Sequence, residues 1–177
     1  MKMNWSFGLL WLVVIVLGVL LIVEHFNKPK SGYIIISEVY SKFELKKELE
    51  HKFIATKASR QKVLDSLGFN LRLLIKKIDA EKVKDKKDEE IYNMKREEYY
   101  RRKQVMDEDN NALSKQYDGE IFTQMNQYVR DFGKEFHYQY IFGNDGNGSL
   151  MHGDDALNLT NDIVKYINLK YNGKRWG

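Results

Sequence analysis

Residues 64–78 read LDSLGFNLRLLIKKI, and within them Leu64, Leu67, Leu71, Leu74 and Ile78 recur at steps of three and four. That spacing lays one apolar seam along a helix, the heptad pattern by which a helix packs lengthwise against another. Outward from it, the whole stretch from Glu38 to Phe136 lacks proline and is dense in Lys, Glu, Leu and Arg. A proline inside a helix costs roughly 3 kcal/mol, so its absence over such a length favours helix. Tyr92, Tyr99, Met106 and Leu113 follow at intervals of seven. The pattern predicts two long helices forming an antiparallel coiled-coil arm.

Between the two seams, residues 79–90 read DAEKVKDKKDEE, with only Ala80 and Val83 apolar. A helix that is polar all round has nothing to bury, so the chain is expected to turn back here. The position is near the midpoint of the stretch and predicts matched helices of roughly 65–70 Å each. A single continuous rod is the alternative.

The 177 residues include 29 Lys and Arg, 25 Asp and Glu, one proline and no cysteine. This composition favours long solvated helices over a turn-rich globule. Without cysteine there is no disulfide framework, Cys-based zinc site or thiol nucleophile. The net charge of +4 permits anionic partners or membrane surfaces. The lysines and arginines around the arm tip, from Arg72 to Lys87, are interleaved with acids and read as a solvated face. No nucleic-acid-binding module accompanies them, so no nucleic-acid partner is expected. His25, His51, His137 and His152 are scattered, without metal-ligand spacing or a nucleophile motif. No catalytic residue, metal or cofactor is expected, and the chain is not read as an enzyme.

Residues 6–23, SFGLLWLVVIVLGVLLIV, carry no charge. The run is at the short end for a membrane span, and longer than a usual signal-peptide core. Bulky Leu20 to Val23 leave no small-residue cleavage site, which favours an uncleaved signal-anchor over a cleaved signal peptide. Residues 1–30 are therefore read as anchor or signal plus a polar linker containing Pro29. Tyr33 to Ile36 reads as a buried strand, with Ser37 as N-cap of the long helical stretch. At the far end, Tyr138 to Phe142 reads as a strand, 143–148 (GNDGNG) as a hairpin turn, and Ser149 to His152 as the returning strand. Leu157 to Leu159 offers a further short strand, Thr160 caps a last helix, and Gly173 closes it. The fold class is α+β, mostly α: an arm over 38–136 on a small β head formed by 31–37 and 137–177.

The aromatic content of the arm exceeds what one narrow seam requires. Phe69, Tyr92, Met94, Tyr99 and Tyr100 are the candidate contacts for apolar polypeptide, since flexible Met and amphipathic Tyr suit promiscuous binding. The bland alternative is that the two helices simply bury these side chains against each other.

One strand, a long helical hairpin, then strands and a helix completing the same head resembles the Skp/OmpH family of periplasmic chaperones (outer membrane protein H-like). The segments that carry the resemblance are 33–43 (YIIISEVYSKF), 138–142 (YQYIF), 149–155 (SLMHGDD) and 159–168 (LTNDIVKYIN). It covers residues 33–172. The resemblance implies a homotrimer with three arms around a cavity. Such a trimer is an ATP-independent holdase for unfolded outer-membrane proteins in the bacterial cell envelope. It further implies a trimer head built from Tyr33, Ile34, Ile35, Ile36, Tyr140, Ile141 and Phe142. The family usually has a cleavable signal; residues 6–23 instead suggest a periplasmic protein tethered to the inner membrane, or a secreted one if cleaved. The second reading is a membrane-tethered coiled-coil scaffold that grips one folded envelope partner.

Overall fold

A computed structural model of the chain describes residues 11–12, 14–19, 29–80 and 85–173. The elements are β1 (Ser31–Ile35), α1 (Ile36–Lys42), α2 (Glu44–Ala80), α3 (Lys86–Glu135), β2 (Tyr140–Asn144), a 3-10 turn (Asp155–Leu157) and α4 (Thr160–Tyr171). The expected membrane segment 6–23 lies largely outside the described residues. Its described parts, 11–12 and 14–19, are helical, and among the described residues no helix is long and apolar enough to cross a membrane.

The arm is the antiparallel pair α2 and α3. Leu64 and Ile78 of the leucine seam are buried against α3, and Leu67, Leu71 and Leu74 are half-buried. Tyr92, Tyr99, Met106 and Leu113 answer them from α3, each half-buried. Near the tip Lys77 pairs with Asp88 at 2.6 Å, and the Asp85 carboxylate caps α3 by accepting from the Lys87 N–H at 2.9 Å. Halfway down, the seam turns polar, with Arg60 donating to Asn110 and lying 3.7 Å from Asp109. The helices are not matched in length. α2 has 37 residues and α3 has 50, because the helical run from Ile36 is interrupted at Phe43. There the backbone is extended (φ −73°, ψ 129°), which drives the ring into the core, and Asn168 of α4 hydrogen-bonds on both sides of the break. Phe43 fits the apolar spacing of a continuous helix, so the interruption has no local signature.

The head departs from the expected hairpin. β2 does not fold back onto residues 149–152; it pairs in parallel with β1, Ser31 opposite Tyr140 and Ile35 opposite Asn144. The whole arm is thus the crossover that a parallel pair requires. The turn signal was real, since Gly146 and Gly148 both have positive φ. It closes a self-bonded loop, because the Asn144 side chain accepts from the Gly146 N–H and Asp145 from the Asn147 N–H, so no return strand is needed. On the other side of β1, Asn158 forms a parallel bridge with Tyr33.

Two cap assignments change as well. The first helix starts at Ile36, which places Ser37 inside it, and its N-cap Ile35 has no side-chain bond. The final helix begins at Thr160, and the capping oxygen belongs to Asn158, which accepts from both the N–H and the hydroxyl of Thr160. The Thr160 hydroxyl instead accepts from the Ile35 N–H at 2.9 Å, stitching α4 to β1. Gly173 stands just past α4 at φ 70°, as a left-handed helix terminator should. α3 ends in the same manner: Tyr138 N–H reaches Gly133 O at 2.8 Å, with His137 at φ 59° in the position glycine usually takes.

One core joins these parts. Ile34, Val39, Phe43, Leu45 and Leu49 meet Ile121, Met125 and Phe132 of α3 and Ile163, Tyr166 and Ile167 of α4. The core therefore lies in the head and at the root of the arm, while the outer arm keeps only its seam.

Candidate client-binding arm and head edge

The outer arm is too thin to bury every apolar side chain the sequence supplies. Of the five candidate contacts, Phe69, Met94 and Tyr100 are 53, 64 and 62 % exposed. Tyr92 and Tyr99 are half-buried within the seam, Tyr92 beside Ile75 and Ile78, and Tyr99 near Gly68. Tyr99 and Tyr100 meet edge to face at 5.5 Å. Gly68 faces Tyr99, so the neighbouring Phe69 shares their level of the arm.

Cations sit over two of these rings. The Arg72 guanidinium lies 6.0 Å from the Phe69 centroid and the Arg96 guanidinium 5.9 Å from that of Tyr92. The chemical surface is thus apolar and aromatic with positive charge beside it, suited to polypeptide with exposed apolar and acidic side chains.

Ile54, Val63, Leu73, Ile75, Val105 and Phe122 are also exposed along the two arm helices and were not singled out from the sequence. Their signal was available: each is apolar yet stands off the heptad register that α2 and α3 use against each other.

At the root of the arm a cleft of about 240 Å³ lies between Tyr40, Leu49, Phe53, Tyr117 and Ile121. Two pairs of polar groups line it, Tyr40 donating to Asp118 at 2.6 Å and Lys46 bound to Glu50 at 2.6 Å. Burial and the Asp118 carboxylate push the Tyr40 hydroxyl up to about 12, so it stays a neutral donor. Among the described residues no group of three His, Asp or Glu side chains is placed to hold a metal ion.

The seven head residues divide. Tyr33 and Ile34 are buried within the chain itself, Ile35 and Ile141 are half-buried, and Ile36, also half-buried, is the first residue of α1 and not part of a strand. Tyr140 and Phe142 project from β2, 58 and 51 % exposed, their rings stacked at 6.1 Å. Among the described residues β2 has a strand partner on its β1 side alone, which leaves an open edge flanked by two aromatic rings.

A small head with parallel strands, carrying a long antiparallel helical hairpin whose outer half exposes apolar side chains, defines a mostly helical α+β protein with one long arm. The family model described as Outer membrane protein (OmpH-like) matches residues 30–167, and the chain belongs to this OmpH-like family. Its fold is similar to the crystal structure of a protein from Caulobacter crescentus CB15 assigned as an OmpH-like outer membrane chaperone. The TM-score is 0.71 at 12 % identity, over 80 % of this chain and 85 % of the other. No curated protein matches the chain.

Proposed function

We propose that the chain is an ATP-independent holdase of the bacterial periplasm, keeping unfolded outer-membrane proteins soluble between the arms of a homotrimer. The observation that carries this reading is the exposed apolar surface of the outer arm, where Phe69, Leu73, Met94 and Tyr100 stand outside the seam. Large apolar side chains exposed on a solvated helical arm supply the kind of contact that other polypeptide can bury. Membership of the OmpH-like family and the likeness to a protein assigned as a chaperone support the class of activity. The uncharged run at 6–23 supports a tether to the inner membrane, or secretion if it is cleaved.

The direct test dilutes a urea-unfolded outer-membrane β-barrel protein into purified residues 31–177 without nucleotide. This segment contains every residue of the core described above. Solubility kept at about one trimer per client is the expected result. A folded, oligomeric protein that gives no protection would shift the assignment to a membrane-tethered scaffold for one folded partner.

Arm chemistry makes a sharper demand. Replacing Phe69, Met94 and Tyr100 together by serine should weaken client retention about tenfold or more, each group losing part of the roughly 1.5–3 kcal/mol that full burial of a large apolar side chain supplies. Because all three are exposed, each single change should move stability by no more than about 0.5 kcal/mol. Collapse of the far-UV helical signal in the triple variant would return these side chains to the core and remove them from the client surface.

The trimer rests on β2. Among the described residues the outer edge of β2 is unpaired and carries exposed aromatics; such an edge calls for a covering, and a two-stranded sheet is marginally stable in water. Tyr140→Ser combined with Phe142→Ser is expected to turn a trimer into a monomer at micromolar concentration, read by sedimentation. A variant that stays trimeric would place the interface elsewhere on the head.

A further inference from the structure

We propose that α4 is a brace that fixes the angle between arm and head, with Asn168 as its positioning residue. The single extended residue Phe43 separates α1 from α2, and a break of that kind leaves backbone groups on both sides without intrahelical partners. Asn168 supplies both partners at once. Its side-chain oxygen accepts from the Glu44 N–H at 2.9 Å, and its side-chain nitrogen donates to the Lys42 carbonyl at 3.1 Å. A side-chain amide is the group that offers an acceptor and a donor from one planar unit.

Neighbouring residues of α4 strengthen the hold on α2. The Tyr171 hydroxyl donates to Glu48, its ring meets Phe43 edge-on at 5.7 Å, and the Asn172 amide donates to Glu44. The opposite side of the same helix grips α3, where the Tyr166 hydroxyl donates to Glu135 at 2.7 Å and Lys170 pairs with Glu135 at 3.2 Å. One short helix is therefore fastened to both arm helices at their root, across the residue best placed to act as a hinge.

The lever is long. An α2 of 37 residues extends about 55 Å, so a rotation of about 10° at Phe43 displaces the tip by roughly 10 Å. A change of that size at the root would alter the spacing of arms in any assembly of these chains.

The test is a spin-label distance measurement on the full chain in detergent micelles. The natural sequence has no cysteine, so Lys76→Cys near the tip and Asp155→Cys in the head give a unique labelled pair. Labelled chain is diluted into unlabelled chain to remove intermolecular distances. Asn168→Ala should broaden the distance distribution by about twofold or more. Asn168→Asp keeps the acceptor for Glu44 but loses the donor to Lys42, and should fall between. Tyr171→Phe, which keeps the ring on Phe43, should broaden it less than Asn168→Ala.

An unchanged distribution in Asn168→Ala, with the Glu44 amide exchanging faster with solvent, would overturn the proposal and leave Asn168 a local cap. Should that variant lose its helical signal, Tyr171→Phe decides: broadening supports the brace and an unchanged width overturns it. No client enters the measurement, so a negative result would leave the holdase reading untouched.

Discussion

Replacing Phe43 with alanine should destabilise the protein by about 3–5 kcal/mol, the range for removing a fully buried aromatic side chain. Its ring is 0 % exposed and meets Tyr128 and Tyr171 edge to face at 6.2 and 5.7 Å. Those two partners come from α3 and α4, so the cavity would open where the head and the arm share their core. The same change at Phe69, which is exposed, should cost no more than about 0.5 kcal/mol. Urea unfolding followed by the helical signal separates the two, through a midpoint that drops sharply for Phe43→Ala and barely moves for Phe69→Ala. A loss below about 1 kcal/mol at Phe43 would mean that its neighbours collapse into the space and that the core is not organised around it.

The contrast between these two phenylalanines marks what the sequence could and could not reveal. Steps of three and four, sustained without proline, are a local property, and they located both arm helices. The same register identified Leu64, Leu71 and Ile78 as seam residues. It also left Phe69, Met94 and Tyr100 outside the seam, which is where the fold puts them. Tyr92 and Tyr99 carry both signals, being aromatic and seven apart, and their half-burial reflects the seam.

The head was harder to read because its defining contacts join segments more than a hundred residues apart. Parallel pairing of β1 with β2 has no sequence signature of its own, whereas Asp-Gly and Asn-Gly suggest a hairpin strongly. That local preference lost because β1 had one edge free for β2 and the Asn144 and Asp145 side chains satisfied the loop. The break at Phe43 was invisible for a related reason. An apolar residue at helical spacing gives no hint that an asparagine 125 positions later will cap both sides of it (168 less 43). Ser37 and Thr160 fit the residue preference for N-caps, yet α1 starts two residues too early for the first, with Ile35 as its N-cap, and the second was recruited by the Ile35 N–H.

Glycine shows the same division between local and distant causes, and it yields two expected results of opposite sign. Gly119 lies within α3, and a Cβ built there meets nothing within 4 Å. Gly119→Ala should therefore stabilise the protein by about 0.5–1 kcal/mol, since glycine in a helix loses more backbone freedom on folding than alanine. Gly32 lies in β1, where a Cβ would come 2.5 Å from Leu159 Cδ1, 2.8 Å from Leu159 Cγ and 3.0 Å from the backbone oxygen of Leu157. Leu159 is itself buried in the core, and the Leu157 oxygen belongs to the segment that bridges to β1 through Asn158, so neither neighbour can yield freely. Gly32→Ala is expected to cost about 1–3 kcal/mol, and Gly32→Val more, because overpacking forces backbone to shift. The strain would fall on the junction of β1, the Leu157–Leu159 segment and the start of α4, so the head should loosen while the arm keeps its helices. Urea midpoints for the three variants, read beside the near-UV tyrosine signal of the head, would show Gly119→Ala above the natural protein and both Gly32 variants below it. A Gly32→Val protein of unchanged stability would mean that the segment before α4 does not close over β1, and the parallel head would have to be redrawn.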